Sequence, residues 1–127
     1  MKILIAYHNK NICMMLENFL IKMGHDCSCA VDGRNGLSLI EKGKFDAVLL
    51  GLTMPNFSGY DVIDALEKSG ELKENKIIIF TALHLSQSEI EDFFKRGVYS
   101  YFGLPVKLDI LLETLETIPL RQIFEYE

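Results

Sequence analysis

The residues able to do chemistry stand at few places in this chain. Tyr7 and His8 follow a first apolar run, and His84 follows the fourth such run. An imidazole titrates near neutral pH, so His8 is a candidate ligand or proton-sensing group. His8 with His84 would make a two-histidine site, but two histidines without a third ligand are thin support for a metal. Thr53, Ser58 and Asp61 cluster after the third run. Their hydroxyls are conceivable kinase targets and the carboxylate a conceivable phosphoacceptor. Cys27-Ser28-Cys29 places two thiols on one face of an extended segment, and Cys13 falls in a helical pattern. No CxxC or Cys/His cluster accompanies them, so zinc has little support. Reduced thiols of a cytoplasmic protein, acting as small apolar side chains, are the preferred reading. His25, after Gly24, reads as a surface residue at a turn.

Two kinds of segment alternate to position these groups. Short apolar runs occupy residues 2–7, 26–30, 45–50, 76–81 and 98–102. Amphipathic stretches lie between and after them, at residues 11–23, 33–42, 58–69, 86–96 and 107–118. In the first of these, Ile12, Met15, Leu16, Phe19, Leu20 and Met23 recur at spacings of three and four. Gly24, Gly43, Gly70 and Gly97 stand as stops, Pro119 ends the last stretch, and Ser86 or Ser88 caps the fourth. Strand and helix thus alternate five times. Ala47-Val48-Leu49-Leu50 and Ile77-Ile78-Ile79-Phe80 are apolar on both faces, as central parallel strands require. Right-handed crossovers then predict a doubly wound (βα)5 α/β sandwich, flavodoxin-like, on a five-stranded parallel sheet. Its site belongs at the carboxyl ends of the strands. There stand Tyr7, His8 and Asn9; residues 51–56; Thr81 and Ala82; and Gly103, Leu104 and Pro105.

The 127 residues suffice for one domain with its own core. Thirteen basic against 18 acidic residues give a net charge of −5 without a basic run, which disfavours nucleic acid as a partner. No apolar stretch approaches the length of a membrane span. Met1-Lys2-Ile3-Leu4-Ile5-Ala6 reads as a first strand rather than a signal peptide.

Met54-Pro55 followed by Gly59, Phe45-Asp46 before the third strand, Thr81-Ala82 closing the fourth, Gly97 four residues before Tyr101, and Pro105 after the fifth occur in order on this frame. Over residues 1 to about 118 the chain resembles the response-regulator receiver domain, the chemotaxis-type phosphoacceptor module. In that family a central Asp accepts phosphoryl, two acidic residues after the first strand help hold Mg²⁺, a Lys pairs with the phosphate, and a Thr or Ser binds one of its oxygens. Carried over by position, the phosphoacceptor site is Gly51, the acidic pair is Tyr7 and His8, and the Lys position is Leu104. Thr81 and the aromatic Tyr101 remain. Glycine offers no nucleophile, the expected carboxylates for Mg²⁺ are gone, and leucine supplies no cation. The resemblance therefore implies a degenerate receiver, a pseudo-receiver, with no metal, no cofactor and no enzymatic activity.

Tyr7 and His8 then have two readings, filling of a crater that no longer holds metal, which is preferred, or a new ligand or pH-sensing pocket with Thr81 and His84. Thr81 and Tyr101 persist as packing or as a two-state element biased by a partner. Relative to the family, Phe94 falls at a core position and Phe93 at the helix edge, beside Tyr99 or Tyr101. An exposed Phe93 with Arg96 would suit a protein-binding hot spot; Phe93 folded over Tyr101 would enlarge the core. The expected domain is residues 1–118, followed by a tail, 119–127, that is rich in apolar residues. The expected function is phosphorylation-independent protein binding in two-component signalling, through Phe93, Tyr99, Tyr101 and the fifth helix, with a homodimer through that face in view. The alternatives are a small-ligand or pH sensor, and a receiver phosphorylated at a substitute residue.

Overall fold

Five short segments form strands, the inner three buried along nearly all their length and the two edge strands only partly. In the computed structural model, which describes residues 1–119, these are β1 (Lys2–Ala6), β2 (Asp26–Ala30), β3 (Ala47–Gly51), β4 (Ile77–Thr81) and β5 (Ser100–Gly103). They pair in parallel in the order β2-β1-β3-β4-β5, the flavodoxin-like doubly wound order. β3 and β4 are buried at every position. Covering by helices on both faces is what removes any need for polar alternation there.

The helices are α1 (Lys10–Lys22), α2 (Gly33–Gly43), α3 (Gly59–Ser69), α4 (Gln87–Arg96) and α5 (Leu108–Glu116). Local chemistry starts four of them. Asn9 and Asp32 accept from the backbone N–H of Ile12 and Asn35. Ser58 with Asp61, and Ser86 with Glu89, form reciprocal capping boxes. The cap of α4 is thus Ser86 rather than Ser88. A 3-10 turn at Lys73–Asn75, absent from the periodicity, precedes β4. It buries Asn75, whose side-chain amide donates to the Glu71 carbonyl at 2.8 Å.

Alternate strand residues feed two cores. Leu4, Val48, Leu50, Ile77 and Ile79 pack on one side with Val62, Ile63 and Leu66 of α3 and Phe93 of α4. Ile3, Ile5, Leu49, Ile78 and Phe80 pack on the other with Leu16 and Leu20 of α1 and Leu111 and Leu115 of α5. The crevice between the carboxyl ends of β1 and β3, where the strand order reverses, is the place for a site. Gly59 shapes its rim: a Cβ there would lie 2.2 Å from the Gly51 carbonyl oxygen, so only glycine lets α3 begin so close to β3.

Among the described residues, no helix is long and apolar enough to cross a membrane.

Candidate functional site

Ala6 and Leu50 are register partners, so the next residues, Tyr7 and Gly51, end their strands side by side. Tyr7 is 8% exposed. Its ring packs against Phe80, with centroids 4.7 Å apart, and against His8, at 4.5 Å. Its backbone N–H continues the ladder to the Ala30 carbonyl at 2.9 Å. A Cβ on Gly51 would meet Tyr7 Cδ1 at 2.6 Å. The ring therefore occupies the volume into which any side chain at Gly51 would project.

His8 is exposed, and its Nδ1 lies 2.9 Å from the Thr53 carbonyl oxygen. Only an N–H satisfies a carbonyl, so Nδ1 carries the hydrogen. Thr81 is buried, and its Oγ1 accepts from the Leu83 N–H at 3.0 Å. Tyr7, His8, Thr53 and Thr81, with Phe80 and Leu83, line a pocket of about 140 Å³. Leu104 turns away from it. That half-buried side chain joins the α1–α5 core and lines a separate apolar hollow with Ile12, Met15 and Leu108. His84 is exposed in the loop after β4 and does not line the pocket that holds His8.

Mg²⁺ takes hard oxygen ligands in a strict octahedron, usually with one or two carboxylates. The pocket supplies an imidazole already bonded through Nδ1, a hydroxyl used in a turn, a phenol and backbone carbonyls, and no carboxylate. This donor set does not fit Mg²⁺, and among the described residues no group of three His, Cys, Asp or Glu could hold a metal ion.

Asp61 and Ser58 are committed to the start of α3: the Asp61 carboxylate accepts from the Ser58 N–H at 2.9 Å and from its hydroxyl at 3.1 Å. Thr53 is exposed. The three cysteines are free thiols on the α1–α5 side. Burial raises all three above the usual thiol range, Cys27 to about 12, which suits packing rather than reactivity.

The suggested partner face is rearranged. Phe93 is 6% exposed and packs against Tyr60 of α3, with ring centroids 5.9 Å apart, while Phe94 is 45% exposed. The edge position expected for Phe93 is thus corrected: Phe93 enters the core and Phe94 projects. Arg96, one turn on, bridges Asp64 and Glu67 of α3. Tyr101 is half-buried against the same core. Tyr99 packs instead toward the α1–α5 side, its hydroxyl 2.6 Å from Thr117 Oγ1. Phe93, Tyr99 and Tyr101 therefore do not form one exposed cluster. The tail beyond residue 119 lies outside the described residues. Sequence reasoning expected Tyr7 and His8 to fill the crater, but two details escaped it, the close interlock of the Tyr7 ring with Gly51 and the Arg96 clamp. The only signal for the first was a large aromatic and a glycine ending two neighbouring strands.

The family model described as the response regulator receiver domain matches residues 3–116. Chemotaxis protein CheY-3 of Vibrio cholerae is 29% identical over 119 residues, covering 93% of this chain and 91% of that protein. The probable transcriptional regulator ycf29 of Porphyra purpurea is 26% identical over 106 residues, 84% of this chain and 50% of that protein. The chain thus spans about half the length of the ycf29 relatives it matches. Among solved structures, the receiver domain of Francisella response regulator 1452 superposes with a TM-score of 0.82 at 26% identity, covering 91% of this chain and 93% of that one.

Proposed function

The chain belongs to the response regulator receiver domain family, and from that premise we propose that it is a receiver without the usual phosphoryl chemistry, acting as a phosphorylation-independent protein-binding module. One observation carries this reading: the Tyr7 ring stands 2.6 Å from the point where a side chain on Gly51 would begin. The phosphoacceptor position and the space in front of it are taken together. The pocket's lack of carboxylates and the outward turn of Leu104 support the same reading, because phosphoryl transfer depends on positioned metal and cation.

Output would run through the edge formed by α4, β5 and α5, with Phe94 rather than Phe93 as the projecting aromatic anchor. A second copy of the chain is one occupant of that edge.

The test is incubation with a small acyl-phosphate donor and Mg²⁺, followed by intact mass. The expected result is an unchanged mass for this chain and for Gly51→Asp. A gain of about 80 Da, the mass of one phosphoryl group, on the unaltered chain would overturn the proposal.

A further inference from the structure

The pocket beside Tyr7 keeps two polar groups that the fold itself does not satisfy. Thr81 is 4% exposed, and its Oγ1 accepts from the Leu83 N–H at 3.0 Å. A hydroxyl also carries a hydrogen to donate. Among the described residues, nothing accepts it. A buried donor without an acceptor is costly, so such groups are nearly always satisfied by protein, water or ligand. His8 lines the same pocket. Its Nδ1–H is taken by the Thr53 carbonyl. Nε2 of the neutral ring is then an acceptor, and it has no partner among the described residues. One donor and one acceptor thus remain at a single pocket.

The walls decide what can join them. Tyr7, Leu52, Phe80 and Leu83 supply apolar surface. Among the described residues, no carboxylate, ammonium or guanidinium lines the pocket. An ion of either sign would lose its hydration there without a fixed counter-charge. Neutral ligands with matched polar atoms escape that cost. The volume, about 140 Å³, is room for about five water-sized groups.

We propose that this pocket binds a small uncharged molecule carrying an acceptor and a donor on one carbon, a short primary amide. Its carbonyl oxygen accepts from the Thr81 hydroxyl, its NH₂ donates to His8 Nε2, and a stem of carbon atoms lies against Tyr7 and Phe80. The inference rests on the proposed loss of phosphoryl chemistry, since it gives the same pocket another occupant. The two fail separately: the intact-mass test reads phosphoryl uptake, and the test below reads amide binding.

The test is an amide NMR titration of the 127-residue chain with propionamide, with propionate and inorganic phosphate as parallel arms. The expected result is saturable shifts at Thr53, Thr81 and Leu83 with propionamide, half complete at a roughly millimolar concentration for so small a ligand. Neither anion is expected to saturate. Thr81→Val is expected to weaken binding by about tenfold, while Thr81→Ser, which keeps the hydroxyl, stays within about threefold of the unaltered chain. His8→Phe, at an exposed position that the fold does not depend on, is expected to weaken it by about fivefold. It carries the test if Thr81→Val does not fold. Shifts that grow without saturating would mean that water alone fills the pocket, and would overturn the proposal. So would undiminished binding in Thr81→Val or His8→Phe, or an anion binding as tightly as the amide, which would make this an anion site.

Discussion

The α3–α4 seam and the α1–α5 seam close in opposite ways. On the first, Arg96 reaches across to Asp64 and Glu67, and Phe93 lies against Tyr60. Ion pairs and a buried aromatic contact close that seam side by side. The second seam is mainly apolar, with His25 and Glu116 at its lower end and exposed methionines at 58% (Met15) and 50% (Met23). Apolar contact is non-directional, and a methionine-lined groove accommodates a cover without specifying a single partner. At its upper end one ring, Tyr7, closes that side against Phe80 and Gly51. The difference separates a seam closed by charges from one left, among the described residues, with open hollows.

The largest expected effect breaks the closure at Tyr7. Truncating a buried aromatic typically costs about 3–5 kcal/mol, so Tyr7→Ala is expected near the lower end of that range by urea unfolding. Gly51→Ala alone overpacks the ring and costs about 1–3 kcal/mol. The two together are expected to cost less than their sum, by at least about 0.5 kcal/mol, because removing the ring makes room for the methyl. Strict additivity would mean that the ring and the glycine are not interlocked.

Arg96→Met tests the charged seam. Both carboxylates are about half exposed, so the expected loss is about 1 kcal/mol or less. It should shrink toward zero near 1 M salt, where charges a few ångströms apart are screened. A loss that ignores salt would assign the seam to packing of Phe93 instead.

The smallest effect belongs to His25, at the lower end of the apolar seam. Burial and then the Met1 ammonium, which donates to Nδ1 at 3.0 Å, hold this imidazole below its ordinary value of 6.5. The folded state thus takes up a proton less readily than the unfolded one. The contribution is complete above pH 6.5 and is lost as pH falls through the lowered value. A stability–pH curve for His25→Gln is expected to be flatter on the acid side of 6.5; identical slopes would contradict this assignment.

Much of the fold was legible because its causes are local. Alternating apolar runs and three-to-four spacings depend only on near neighbours in the chain, and strand and helix positions came within about two residues. Serine caps and glycine stops act within one turn, as Ser58 and Gly70 show. The central place of β3 and β4 followed from their lack of polar positions. Side-chain choices that depend on a distant partner were not legible. Phe93 and Phe94 are adjacent and chemically identical, and the one that is buried packs against Tyr60, a residue of a different helix.

By itself, then, the sequence determined five βα units, their parallel order, and the residue types brought to the strand ends. Tertiary structure alone decided that the filling expected of Tyr7 and His8 is done by Tyr7 while His8 stays exposed, that Leu104 leaves the pocket for the α1–α5 side, and that Tyr99 and Tyr101 part to different cores. The physical reason is range: a backbone's periodicity is set by neighbours in sequence, whereas the occupant of a cavity is set by which side chains from separate strands compete for the same space.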